Sequence, residues 1–295
     1  EYKSWLSGKD FVNGCISNAL FSLQLNPIKH LLTIIYPNNK MSDCILEAQD
    51  IRKSFFFKGS LITVLDNVQF HIRTGQFVSI IGPSGCGKST FLELLAGITT
   101  PDEGFILLKG NDITAKTGFL GYMPQDDLLF PWLTVMKNIL LPVKVTGSNE
   151  QEAKQKINEL LPLFGLQNYT EHLPYQLSGG LKQRVALLRT YMCSADILLL
   201  DEPLAKLDAL TRSQLQSWLK DIVHLLNLTV ILVTHDIDEA IMLSDRIDLM
   251  GINPGTFIES IKLDRNNPLT AEEQLKLKIK LRSQLVNGES NNDKK

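Results

Sequence analysis

The chain has 295 residues, 44% of them hydrophobic and 21% charged, enough apolar material for a sizeable buried core and too much for a wholly disordered chain. A formal net charge of −2 gives no global basic field, so nucleic acid is not expected as a partner. The cysteines Cys15, Cys44, Cys86 and Cys193 lack C-x-x-C spacing and read as reduced thiols of a cytosolic protein.

Residues 1–40 carry no clear period and end in the breaker cluster Pro37-Asn38-Asn39-Lys40. The stretch from Ile16 to Tyr36 is interrupted by Gln24, Asn26, Pro27, Lys29 and His30, too often for a membrane helix; with Asp10 early and no small-residue cleavage pattern after an uninterrupted apolar core, a signal peptide is not expected either. We read residues 1–40 as an appendage to a unit that starts at Met41. Strand-like patterns follow at Ile45–Ala48 and Val64–Ile72, the second alternating through Val68, Phe70 and Ile72. Between them Lys53-Ser54-Phe55 reads as a loop, whose aromatic ring either packs or stacks on a flat base.

Thr74-Gly75 turns the chain into an apolar strand, Phe77–Ile81, and the run Gly82-Pro83-Ser84-Gly85-Cys86-Gly87-Lys88-Ser89-Thr90 follows it. This is G-x-x-x-x-G-K-[ST] between a strand and the helical pattern of Phe91, Leu92, Leu94 and Leu95, the setting of a phosphate-binding loop. The glycines let backbone N–H groups point inward, the helix N-terminus adds partial positive charge, and Lys88 adds a full one.

Gly104–Gly110 reads as a short strand, and Phe119–Gln125 as an apolar strand ending in a glutamine. Residues 126–190 change character to helices, at Val135–Leu141, Glu150–Phe164 and a segment opened by Ser178, which makes them a helical insertion in an α/β frame. Strands return at Ile197–Leu200 and Thr229–Thr234, separated by an amphipathic helix near Ser213–Leu226. The charged tail over 265–295 holds a helix at Ala271–Val286, read as solvated.

A phosphate loop needs a second site for a metal ion, and the strand Ile197–Leu200 supplies carboxylates at its end, Asp201 and Glu202. Alternation along the strand lets one hold Mg²⁺ beside Ser89 while the other faces an attacking water. His235 ends another apolar strand and belongs to the same carboxyl edge, where open α/β sheets bind ligands. Leu177-Ser178-Gly179-Gly180-Leu181-Lys182-Gln183-Arg184 opens a helix with a second set of anion-facing backbone N–H groups.

In this order, from Ile45 to Leu263, these motifs resemble the ATP-binding subunits of ABC transporters. The resemblance implies a P-loop NTPase with a RecA-like core, an antiparallel β subdomain and a helical insertion, within a domain spanning 41–264. It implies ATP and Mg²⁺ as ligands. Phe55 is then the base-stacking aromatic, against packing alone; Gly82 to Thr90 hold the phosphates, with Lys88 contributing to catalysis; Ser89 and Asp201 ligate Mg²⁺. Gln125 links metal and water to the membrane-facing surface, Glu202 is the general base, and His235 senses the γ-phosphate. Two copies pair head to tail, so that Ser178, Gly179, Gly180 and Asp208 serve the partner's nucleotide. Separate membrane permeases, and through them a solute-binding protein, are the further partners, which places the chain peripherally at the cytoplasmic face of the membrane.

The segments Leu128–Val135 and Asp201–Arg212 are most similar to importers of the nitrate, sulfonate and taurine group. The alternative is a soluble ABC factor that does not transport. Such a factor is expected to carry tandem cassettes or a long coiled-coil insertion, and a mere nucleotide sensor to lack Glu202 or His235. The sequence departs from the family at Leu181, where glutamine is usual, and at Lys206, where a small residue is usual in the loop that crosses between subunits. Lys206 is expected to affect coupling between the ATP sites. A chain started at Met41 should keep the ATPase activity and complex assembly of the full chain; loss of either on truncation would remove the appendage reading.

Overall fold

The computed structural model describes residues 44–193, 196–264, 267 and 269–290, so the expectation for residues 1–40 lies outside it. An antiparallel sheet is formed by β1 (Cys44–Phe57), β2 (Ser60–Arg73), β4 (Glu103–Leu108) and β5 (Asn111–Asp112), in the order β2-β1-β4-β5. The β1–β2 hairpin turns at Lys58-Gly59, with φ of 48° and 82°, the left-handed pair that matches strand twist in a tight hairpin. Phe55 therefore lies in β1 opposite Ile62, not in a loop. The run Phe55-Phe56-Phe57 is strand-prone, and the first residue able to turn comes after it.

The second sheet has the order β10-β9-β3-β8-β7-β6, built from β3 (Phe77–Ile81), β6 (Gly121–Met123), β7 (Ile197–Asp201), β8 (Thr229–Val233), β9 (Arg246–Met250) and β10 (Phe257–Lys262). All neighbours are parallel except β10 on β9. Every residue of β3, β7, β8 and β9 is buried, as in a parallel sheet covered on both faces. That explains why β3, β7 and β8 are nearly continuous apolar runs.

The sequence reading did not foresee β9 or β10. Arg246 and Asp248 break the apolar pattern of β9, yet both are buried and paired: Arg246 Nε and Nη2 donate to Asp248 Oδ2 at 3.0 and 2.8 Å. The same Nη2 donates to the carbonyl of His71 in β2 at 2.6 Å, and Ser260 Oγ donates to Asp248 Oδ1 at 2.6 Å. Charge here is a fastener between the two sheets, tolerable because each polar atom has a partner.

The helices are α1 (Lys88–Leu95), α2 (Val135–Ile139), α3 (Leu141–Thr146), α4 (Glu150–Phe164), α5 (Gly179–Tyr191), α6 (Ala209–Leu225), α7 (Ile237–Leu243) and α8 (Ala271–Ser290). α2 to α5 form the insertion between β6 and β7, around a core that includes Val135, Ile139, Ile157, Phe164 and Val185. α4 begins at the side-chain cap of Asn149 and stops at Gly165, whose φ of 65° suits glycine.

The terminal helix α8 is not solvated all round. Leu281 is fully buried with Ile81, Ile237, Ile247 and Leu249, flanked by Leu277 and Leu285. Those leucines recur at helical spacing and form a narrow apolar stripe that the Lys- and Glu-rich composition hides. Lys280 pairs with Glu259 of β10, and Gln284 Nε2 donates to the same carboxylate at 2.7 Å. Leu281→Ala should lower the unfolding free energy by about 2–4 kcal/mol in urea titrations followed by tryptophan fluorescence; no change would show that α8 contributes nothing to the fold.

Candidate functional site

Strands β3, β8, β7 and β6 lie side by side and parallel, so the residues that follow them share one edge of the sheet. After β3 comes the phosphate loop. A Cβ on Gly82 would stand 2.6 Å from the carbonyl oxygen of Met250 and 2.8 Å from Cys86 Sγ; one on Gly87, at φ 104°, would stand 2.7 Å from Leu65 Cδ2. Only glycine fits either place. Gly85 also takes a positive φ, 76°, and lets the loop curl between Pro83 and Cys86. Cys86 is buried, and burial raises its thiol pKa while Lys88 opposes the shift.

Lys88 is buried as well, and its ammonium donates to the carbonyls of Gly82 and Pro83 at 2.8 and 2.9 Å. α1 starts at Lys88 without a side-chain cap, so no capping side chain takes up the first backbone N–H groups of the helix. Val64 and Leu65 of β2 abut Gly87, so the hairpin that carries Phe55 borders the loop. Phe55 is 41% exposed, with Lys53 Nζ over its ring at 5.3 Å from the centroid.

After β7 come Asp201 and Glu202. Asp201 is buried, and burial raises its carboxyl pKa; a hydrogen bond from Ser89 works against the shift, while the negative charges of Glu202 and Glu93 add to it. Glu202 turns the other way. Its backbone takes φ 45°, rare for a residue with a side chain, while its N–H donates to the carbonyl of Val233 at 2.9 Å. This brings Oε2 to 3.2 Å from His235 Nδ1, at the end of β8, and to 3.4 Å from Gln125 Nε2, beyond β6. Residues from far-apart stretches of sequence thus meet at one carboxylate.

The helix-opening cluster forms a separate group. Ser178 caps α5 by accepting from Leu181 N at 3.4 Å. The nearest atoms to a Cβ on Gly179 or Gly180 belong to Leu207 and Thr211, 3.0 Å away in each case. Asp208 caps α6 by accepting from Thr211 N at 3.0 Å, which holds its carboxyl below the usual carboxylate range. Ser178 and Gly179 remain exposed.

The structure adds residues that the sequence reading passed over. Tyr122 of β6 hydrogen-bonds Asp201, and burial followed by that charge raises its phenol pKa. Arg212 of α6 donates through Nη2 to the carbonyls of Ala205 and Leu207 at 3.4 and 2.8 Å. Glu239 of α7 is buried and accepts from Thr234 Oγ1. None has a motif of its own; Tyr122 at least lies on the strand that leads to Gln125. Among the described residues, Cys44, Cys86 and Cys193 are free, and no group of three or more His, Cys, Asp or Glu side chains forms a metal cage.

Residues 65–205 match the ABC transporter family. An uncharacterised ABC transporter ATP-binding protein of Methanocaldococcus jannaschii is 38% identical over 76% of this chain and 84% of its own. The chain belongs to the ABC transporter ATP-binding family. It is an ATPase of that type, built on the family's P-loop fold. The aliphatic sulfonates import ATP-binding protein SsuB of Bacillus anthracis is 39% identical over 78% of this chain and 92% of its own. The nitrate import ATP-binding protein NrtD of a Synechocystis species is 37% identical over 74% and 82%. Among solved structures, a dimeric ATP-binding cassette in a post-hydrolysis state, bound to ADP and Pi, superposes with a TM-score of 0.65 at 30% identity, covering 75% of this chain and 99% of that one.

Glu239 gives this ABC subunit a pH signature. Burial raises its carboxyl pKa from 4.5 to about 7, against the Thr234 hydrogen bond and with the help of Asp236. The folded state then holds a proton that the unfolded state has released, so this group favours folding below pH 4.5 and its contribution is lost as pH rises to about 7. Glu239→Gln should flatten the decline of the urea midpoint across that window. A parallel decline in the variant would show that Glu239 is not the group responsible.

Proposed function

We propose that this chain is the ATP-hydrolysing subunit of an importer for a small anionic, nitrogen- or sulfur-containing solute, coupled to separate membrane permeases. The single observation that carries the catalytic part is the meeting of Gln125, Glu202 and His235 at Glu202 Oε2, beside a glycine-shaped phosphate loop. Glu202 then accepts the proton of the attacking water, His235 holds the γ-phosphate end, and Gln125 reports on both. Lys88 exchanges its carbonyl contacts for phosphate oxygens, joined by the backbone N–H groups of Gly85, Gly87, Ser89 and Thr90. The adenine base stacks on Phe55.

The residues present fit Mg²⁺. Asp201 is a buried carboxylate raised by burial and by neighbouring acids, with the Ser89 hydroxyl against it. Few protein ligands suit a cation that keeps several waters and binds phosphate oxygens. Ser89, Asp201 and Gln125 would hold it, and when bound it neutralises charge on the phosphates.

The exposed Ser178 and Gly179 support a head-to-tail pair of chains, each offering its α5 N-terminus and Asp208 to the other's nucleotide. The dimeric cassette noted above is of the same family. The import part rests on the sulfonate and nitrate relatives. Among the described residues no helix is long and apolar enough to cross a membrane, so a hold on the cytoplasmic face falls to permease partners, and through them to a solute-binding protein. Leu128, Phe130 and Trp132 are exposed on the insertion and form the candidate contact.

Glu202→Gln should lower phosphate release by about 10²-fold or more, while equilibrium ATP binding stays within about threefold. Retained turnover would remove Glu202 from the role of base. Purification from membranes together with a polytopic partner tests the transport part; a chain recovered alone would speak against it.

A further inference from the structure

Lys206, which stands where the family has a small residue, has a partner in the structure: its ammonium pairs with the carboxylate of Asp126. Asp126 directly follows Gln125 in the loop after β6, and Lys206 lies in the loop after β7 that begins with Glu202. The two strands are neighbours, so their loops leave the sheet side by side.

An exposed ion pair ordinarily contributes little, because two long side chains must be immobilised and solvent screens them. Here the backbone on each side is already fixed by a guanidinium. Arg189, in the last turn of α5, donates through Nη1 to the carbonyl of Leu128 at 2.7 Å and through Nη2 to that of Asp127 at 2.6 Å, with Leu128 held at φ 43°. Arg212 donates to the carbonyls on either side of Lys206, those of Ala205 and Leu207, and Ala205 N donates to the carbonyl of Glu202 at 3.2 Å. Only side-chain freedom is left to lose when Lys206 meets Asp126.

The connections close a ring. The backbone joins Gln125 to Asp126 and Glu202 to Lys206; Gln125 Nε2 reaches Glu202 Oε2 at 3.4 Å, and Asp126 reaches Lys206. We propose that Lys206 and Asp126 are a positioning pair that sets the approach of Gln125 to Glu202 and ties it to the loop leading to Asp208. Neither residue belongs to the phosphate loop. The proposal rests on the reading of Gln125 and Glu202 as groups acting at the hydrolytic water. Loosening one link of the ring lengthens the other, so turnover responds while nucleotide capture by the phosphate loop does not.

The test uses the full chain with Lys206→Ala, Asp126→Ala, the double alanine variant, and the exchange of Lys206→Asp with Asp126→Lys. Phosphate release gives kcat and KM for Mg-ATP, and equilibrium binding gives ATP affinity. Each single variant should lose about two- to fivefold in kcat, the fold-change of a modest exposed pair, with KM and ATP affinity within about twofold. The double variant should be no worse than either single, and the exchange should recover most of the loss. Additive losses in the double variant, or unchanged kcat in both singles, would overturn the proposal even where the exchanged protein does not fold. An equal loss of ATP affinity would overturn it as well. Retained turnover in Glu202→Gln instead overturns the underlying site reading; an inactive Glu202→Gln beside an unaffected Lys206→Ala overturns the pair alone.

Discussion

The chemistry of this subunit depends on register. β7 pairs with β8 so that Asp201 lies opposite Val233, and the N–H of Glu202 then closes on the Val233 carbonyl. A slip of one residue would exchange the faces of Asp201 and Glu202, sending the buried acid toward His235 and the half-buried one into the sheet. The slip is opposed because both strands are buried along their whole length, so a shift of one residue would repack every side chain on both faces. The positive φ of Glu202 is the local cost of that arrangement, and it turns the carboxylate to where β6 and β8 deliver Gln125 and His235.

Charge in the site is distributed unevenly. Asp201, Glu202, Glu93 and the Tyr122 phenol gather on one side, while the nearby Lys88 is taken up by the carbonyls of its own loop. Burial then pushes Asp201 toward its neutral form, a shift that a divalent cation at Ser89 would reverse. Lys88 gives up its carbonyl contacts only to something that binds it better, and a polyphosphate does so by charge. The loop is therefore shaped before ligand arrives, with glycines at the positions where any Cβ would collide with Met250, Cys86 or Leu65.

Much of this was legible in the sequence because the informative elements are extreme. β3, β7 and β8 are uninterrupted apolar runs, the loop from Gly82 to Thr90 has fixed spacing, and α4 has an Asn cap and a Gly stop. β9 was hidden because Arg246 and Asp248 are charged, and only their mutual pairing across buried space makes them core residues. α8 was legible as a helix, but its packing was hidden because its leucine stripe is narrow among lysines and glutamates. Phe55 was misplaced by one element because aromatic residues next to a turn suit loop and strand alike, and the turn sits at Lys58-Gly59. Arg189, Arg212 and Asp126 carry no motif at all; their importance comes from which carbonyls and charges the fold places beside them.

α5 joins the two parts of the molecule that a single chain keeps apart. At its N-terminus Gly179 lies against Leu207 and Gly180 against Thr211; at its C-terminus Arg189 holds the carbonyls of Asp127 and Leu128. A helix of 13 residues spans about 20 Å and does not compress, so its ends move together. Glycines at the N-terminus allow that close packing, since a Cβ at either position would come to 3.0 Å from Leu207 or from Thr211 of α6. A displacement of the Ser178 end would therefore be felt at the loop beside Gln125, while the loop of Lys206 meets both ends of the same helix, Leu207 beside Gly179 and Lys206 paired with Asp126. The geometry places Gln125, in the loop that Arg189 holds and that runs on to the exposed apolar residues Leu128, Phe130 and Trp132, at 3.4 Å from Glu202 Oε2.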